Sequence, residues 1–238
     1  MNVENPRAKI TYLVHSGFSL ETAGRYFLFD YCPSLTREPI TGEYLKTKEK
    51  VYVFVSHSHG DHFDPAILQW GRNNPAITYI LSSDIYCDRS SINSHVMSAY
   101  EKWTDGSVEV ETFGSTDAGI SFLVKVDGLS VFHAGDLNWW KWSGETQAEQ
   151  DYAERIFKEE IGKMAGRKID VAFFPVDRRL EENYCLGAEY FAARLQPKLL
   201  IPMHFAKDFG ATAAFAKRAG KIPLHTVEIT HKGQIIEF

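Results

Sequence analysis

Between positions 56 and 64 the chain reads Ser-His-Ser-His-Gly-Asp-His-Phe-Asp. His57, His59 and His62, with Asp61, fall within six positions of a 238-residue chain that holds only 9 histidines. Composition alone rarely generates such a run. Neutral imidazole and carboxylate are the ligands that Zn²⁺ and similar divalent ions take when no thiolate is offered. His57 and His59 are two apart, so an extended backbone puts them on the same side, within reach of one ion. Gly60 is expected to let the chain turn sharply. Asp61 and His62 then return a few ångströms away, so one ion or a close pair could be held. The alternative is a polar loop of solvated histidines.

These side chains need a platform. Residues 51–55 read as a buried strand that runs straight into the cluster. Two further strands end in ligand-type residues: 131–132, followed by His133-Ala134-Gly135-Asp136, and 199–202, followed by Met203-His204. Sites at the ends of neighbouring strands are common in layered α/β folds. Ahead of the cluster, strands are expected at 9–14, 18–21 and 26–29, the first two joined through His15-Ser16-Gly17. Residues 30–50 read as a loop with a short helix near 43–47. Asp64 as N-cap and Pro65 at the first position start a helix over 65–70. A strand follows at 77–81, and part of 83–101 reads as helix. Strands are then expected at 107–113, 120–126 and 129–132, with a tight Asp127-Gly128 turn. Helices are expected over 144–166, 185–195 and 211–219, and strands at 169–174, 224–229 and 234–238.

The His-x-His-x-Asp-His run after an apolar strand, the later Gly135-Asp136 and the late His204 together resemble the metallo-β-lactamase superfamily. The resemblance implies a four-layer αββα sandwich, an α/β fold, as a single domain over residues 1–238. It implies that His57 and His59 bind a first metal, that Asp61, His62 and His204 bind a second, and that Asp136 bridges them. Metal-activated water would be the nucleophile, and Asp61 could also orient it or pass a proton. Two details, His15-Ser16-Gly17-Phe18 and Phe132-His133-Ala134-Gly135-Asp136, are similar to the branch containing ascorbate-6-phosphate lactonase. One feature departs from the family. A further histidine is usual between the first cluster and the Gly-Asp motif, but residues 111–119 read Glu-Thr-Phe-Gly-Ser-Thr-Asp-Ala-Gly. Asp117 could substitute, His15 or His133 could lean in, or a single ion could be held mainly by Asp61, His62, Asp136 and His204. His133 and His15 otherwise read as residues that orient a ligand. His225 and His231 read as structural or exposed.

Arg178 and Arg179, just past the strand at 169–174, could clamp a phosphate or carboxylate, or be solvated loop charges. Trp139, Trp140 and Trp142 could wall a substrate pocket or cap the core. Net charge is −5 and the sequence pI is near 6.0, so no global basic field favours nucleic acid. No run approaches the length of a membrane span, and the polar N-terminus lacks an apolar signal core. Cys32, Cys87 and Cys185 are too few and too scattered for a disulfide framework or a thiolate metal site. The expectation is a cytoplasmic hydrolase of a small soluble ester, lactone or phosphoester. It would use one or two divalent ions, zinc first, with Mn, Fe or Ni open. An RNA or DNA phosphodiesterase and an inactive metal-binding sensor are the alternatives.

Overall fold

The structure is a computed structural model that describes residues 7–36, 40–219 and 224–238. Its contacts divide into two compact units, Met1–Val96 with His231–Phe238, and Met97–Thr230.

The first unit is built on β1 (Lys9–Val14), β2 (Gly17–Thr22), β3 (Arg25–Phe29), β4 (Lys50–Val55), β5 (Ile77–Ser82) and β6 (Asn93–Met97). They lie in that order in one sheet, with the C-terminal strand Ile235–Glu237 outside β1. The β1–β2–β3 meander is antiparallel, whereas β3, β4 and β5 run parallel. A central parallel strand must be covered on both faces, which is why β4 is a continuous apolar run. Val51, Val53 and Val55 share a core with Leu45 of the helix α1 (Gly42–Lys46) and Leu68 of α2 (Leu68–Arg72). On the opposite face, Tyr52 stacks on Phe27 at 5.1 Å and Phe54 on Phe29 at 4.8 Å. Asp64 caps the short Pro65–Ile67 turn ahead of α2 by accepting the Ala66 N–H. Because β3, β4 and β5 are parallel, their C-terminal ends emerge along one edge of the sheet. That edge carries Asp30, the His57–His62 run and Asp84.

Residues 83–101 contain no helix, against the sequence expectation. Their serines and aspartates satisfy the backbone locally, and Asp88 accepts from both the N–H and the hydroxyl of Ser90. Such residues favour turns over helix. Asn93 then donates to Thr78 at 2.9 Å, and the chain continues as β6 beside β5.

The second unit holds β7 (Lys102–Thr104), β8 (Val108–Phe113), β9 (Ser121–Val126), β10 (Leu129–His133), β11 (Val171–Pro175) and β12 (Leu199–Met203). They form a second sheet in simple sequence order. The β8–β9–β10 segment is an antiparallel meander, and β10, β11 and β12 are parallel. The long helix α3 (Gln147–Lys163) starts from a capping box between Thr146 and Glu149. In α4 (Leu186–Leu195), Phe191 packs against Phe132 at 5.2 Å and Phe174 at 4.6 Å. Burying a side chain of this size contributes about 2–3 kcal/mol. Phe132 faces α4, so strand alternation puts His133 on the other face of β10. The helix α5 (Phe209–Ala219) packs through Thr212, whose hydroxyl bonds both backbone groups of Ile229. The strand expected over 224–229 is reduced to one bridge, Leu200 with Thr226. None of the described helices is long and apolar enough to cross a membrane.

Candidate metal centre

In the first unit the His cluster leaves β4 through Ser56 and closes on itself, with the N–H groups of His62 and Phe63 both donating to the His59 carbonyl. This is an ordinary helical turn. Gly60 does not adopt a positive φ, and a Cβ added there would meet nothing within 4 Å, so the turn does not require glycine. The chain turns here as expected, but hydrogen bonds to the His59 carbonyl close the turn rather than a backbone conformation that only glycine allows.

Asp30, at the end of β3, organises the cluster. Its carboxylate is buried and accepts three hydrogen bonds, from Ser56 N at 2.7 Å, Ser56 Oγ at 2.6 Å and His62 Nδ1 at 2.7 Å. With Nδ1 donating to Asp30, the proton of neutral His62 is placed there and Nε2 carries the lone pair. This is the carboxylate–histidine arrangement that commonly fixes a metal-ligating imidazole. His57 is oriented in the same way by the Ser56 hydroxyl, 2.9 Å from its Nδ1. Its Nε2 stands 3.0 Å from His59 Nδ1. Two imidazole nitrogens on one tetrahedral Zn²⁺ stand roughly 3.3 Å apart, so this pair has nearly the spacing of two ligands.

The ligand-type atoms of His15, Asp61 and His62 form a second group, all within 4.8 Å of one another. His15 Nε2 lies 3.2 Å from Asp61 Oδ2. The His15 hydrogen bond, opposed by partial burial and aided by His62, holds the Asp61 carboxyl well below the usual carboxylate range. Gly17 explains how this loop fits. A Cβ there would meet the carbonyl oxygens of Val14 at 2.9 Å and Asp30 at 3.1 Å, so only glycine lets the His15 turn lie against the Asp30 backbone.

In the second unit the three parallel strands end in Asp136, Asp177 and His204. His204 Nε2 lies 3.3 Å from Asp136 Oδ1, and its Nδ1 lies 2.9 Å from Asp177 Oδ2. Asp177 is thus to His204 what Asp30 is to His62. Burial pushes the Asp177 carboxyl up, but hydrogen bonds from His204 and Arg179 outweigh it and hold the group well below the usual range. His15, Asp30 and His204 all adopt left-handed backbone, with φ of 52°, 41° and 63°. Non-glycine residues hold that conformation at a cost of about 1 kcal/mol or more, and they concentrate at functional sites.

The remaining sequence candidates are placed as follows. His133 is fully buried, and its Nδ1 accepts the Gly135 N–H at 3.2 Å. It braces the turn that presents Asp136, a turn that also uses φ of 54° at Gly135. Asp117 is exposed, with its N–H on the Ser115 hydroxyl. The residue of that loop that reaches the Asp136 turn is Thr116, whose hydroxyl donates to the Asn138 carbonyl at 2.6 Å and accepts from Asn138 N at 2.9 Å. Arg179 is held in two-point contact by Asp177, and Arg178 faces Asp208 at 3.6 Å. Trp139 packs on Phe157 of α3 at 6.1 Å and on Tyr190 at 6.2 Å, whereas Trp140 lies against His204, ring centres 5.4 Å apart. Sequence reasoning passed over Asp30 and placed Asp177 only on the rim, with no role beside His204. The available signal was a carboxylate directly beyond an apolar strand, which becomes telling only once that strand is known to lie beside a ligand-bearing one.

Comparison with known proteins points in the same direction. A family model described as a β-lactamase superfamily domain matches residues 9–204. The chain is similar to a UPF0173 metal-dependent hydrolase of Pelotomaculum thermopropionicum, 26% identical over 215 residues, covering 83% of this chain and 84% of the relative. It is also 26% identical to the corresponding protein of Desulforamulus reducens, across 96% of this chain and 99% of that one. Among solved structures it is similar to Igni18, a metallo hydrolase from Ignicoccus hospitalis, with a TM-score of 0.68 at 18% identity, covering 97% and 98% of the two chains. That likeness carries the fold, an α/β metallo-β-lactamase fold with two mixed sheets and helices, of the αββα class.

Proposed function

The chain belongs to the β-lactamase superfamily, and from that premise we propose that it is a metal-dependent hydrolase of a small soluble ester, lactone or phosphoester. The observation that carries this reading is the grouping of His15, Asp61 and His62 ligand atoms within 4.8 Å, with Asp30 setting the His62 tautomer. The donor set of imidazole and carboxylate fits Zn²⁺, and Mn, Fe or Ni would also be accepted. His57 and His59 would hold one ion; Asp61 and His62, with His204, another; Asp136 would serve both. Such an ion supplies water acidified to near neutral pH and polarises the bond to be cleaved. The chain's own groups do the rest. Asp30 and Asp177 keep His62 and His204 in the tautomer that can ligate. Asp61, about half exposed and 3.2 Å from His15 Nε2, would orient that water or pass a proton to the leaving group. A lactone enters this set through the likeness of the two short motifs around His15 and His133 to the lactonase branch.

Metal content tests this directly. Elemental analysis of gently purified protein is expected to give near two ions per chain, falling by about one in His57→Ala, the usual pattern for a two-metal hydrolytic site. One ion unaffected by His57→Ala would reduce the centre to the Asp61–His62–His204 set. No ion after reconstitution with several metals would overturn the hydrolase reading. A metal-loaded protein inert toward ester, lactone and phosphodiester panels would replace it with a metal-binding sensor.

A further inference from the structure

Three tryptophans follow Asp136, and the fold uses them in two ways. Trp139, itself partly buried, packs on Phe157 of α3 and on Tyr190 of α4. Trp140 and Trp142 are only partly buried and stack on each other, ring centres 6.0 Å apart and planes within 7°. Trp140 is tied to the candidate centre twice: its indole N–H donates to the Asp136 carbonyl at 2.9 Å, and its ring meets His204 edge-on. The loop that carries the pair is pinned from several sides. Thr116 bonds both backbone groups of Asn138, Asn183 donates to the Lys141 carbonyl at 3.2 Å, and Trp142's carbonyl accepts from Gln150. An aromatic surface held this firmly is pre-organised, so binding against it costs little ordering.

Charge at this surface is matched. Arg179, whose guanidinium lies 5.9 Å from the centre of the Trp142 ring, is paired with Asp177, and Arg178 with Asp208. A subsite for phosphate would need cationic donors in excess of local carboxylates, and both arginines beside Trp142 already face a carboxylate. What it offers beside His204 is flat π surface, whose natural complement is another flat ring in stacked or edge-on contact.

We propose that Trp140 and Trp142 form an aryl subsite, so that the preferred substrate carries a neutral aromatic group next to the bond being cleaved. This rests on the hydrolase reading above, and it narrows the substrate class within it.

The test uses the zinc-reconstituted full chain, as wild type, Trp140→Ala, Trp142→Ala and Trp140→Phe. Saturation-transfer NMR reports binding of naphthol, a neutral aromatic product, without any need for turnover. Steady-state kinetics compare naphthyl acetate, methyl acetate and naphthyl phosphate. The wild type is expected to bind naphthol, each Ala variant to weaken it about tenfold, and Phe to restore most of it. The ratio of kcat/KM for naphthyl acetate over methyl acetate should fall by about the same factor in the Ala variants. Absence of naphthol binding by the wild type would overturn the proposal, as would equal binding by both Ala variants or a preference for naphthyl phosphate. Naphthol binding that depends on Trp140, in a protein that cleaves none of the three compounds, would retain the subsite and refute the hydrolase reading instead.

Discussion

Asp30 is the most exposing place to perturb this molecule, because one carboxylate joins the strand platform to a candidate ligand. Its Oδ1 accepts the Ser56 N–H, and its Oδ2 accepts both the Ser56 hydroxyl and His62 Nδ1. Asp30→Asn keeps the shape and replaces one acceptor by a donor. If the amide nitrogen takes the Oδ2 position, it faces the His62 Nδ1–H. The imidazole must then move its proton to Nε2, which removes the lone pair that a metal needs. If the amide turns over, the nitrogen faces the Ser56 N–H, and a buried backbone donor loses its partner at about 1–3 kcal/mol. In either case His62 exchanges a charged carboxylate for a neutral amide and becomes a weaker ligand, so metal binding should fall by about 10–100-fold, the usual effect of losing such an orienting carboxylate. Competition of apo protein against a chromophoric chelator would read the affinity, and thermal unfolding of the same apo samples would read the stability cost. Asp30→Ala removes all three acceptor contacts and should be the less stable of the two. The reasoning is refuted if Asp30→Asn binds Zn²⁺ as tightly as the wild type.

Gly187, near the start of α4, admits no side chain: a Cβ there would fall 2.0 Å from Asn138 Oδ1 and 2.9 Å from Trp139 N. Gly187→Ala should therefore cost about 1–3 kcal/mol in chemical denaturation and displace the loop that presents Asp136, lowering metal affinity as well. Unchanged stability would show that the loop yields freely. Glu111 sits below the ordinary glutamate range, chiefly through its hydrogen bonds from Arg167, which is also an ion pair. A depressed acid contributes stability above its unfolded pKa of about 4.3 and loses it as pH falls through the folded value. Thermal midpoints of wild type and Arg167→Gln should therefore differ near neutral pH and converge under acid; a constant gap would contradict the assignment.

The sequence was most informative where chemistry requires rare residues in tight spacing. The run from His57 to His62, the strand that feeds it and the strands before Asp136 and His204 were all readable. In each case an apolar stretch of strand length ends abruptly in ligand-type side chains, and β4, β10 and β12 stand within a residue or two of their expected limits. The long helix was readable too, from a stretch rich in Glu, Ala and Lys, although the expected range of 144–166 overruns Gln147–Lys163 at both ends. The segment 83–101 was not, because its serines and aspartates bond locally and β6 exists only through pairing with β5. The turn at Gly60 was readable, but its form was not, for a related reason. Sequence shows which residues permit a turn, whereas the hydrogen bonds to the His59 carbonyl decide which turn forms.

The orienting residues were decided by tertiary structure alone. Asp30 and His62 are 32 positions apart, and Asp177 and His204 are 27 apart. Each pair meets because two parallel strands of one sheet deliver their ends to the same edge. Likewise nothing in Trp139-Trp140-Lys141-Trp142 says which indole belongs to the core; the packing of α3 claims Trp139 and leaves Trp140 beside His204. The sequence could specify the ligands because metal chemistry restricts residue type. It could not specify their partners, because an orienting hydrogen bond restricts only position in space, and position is a property of the folded sheet.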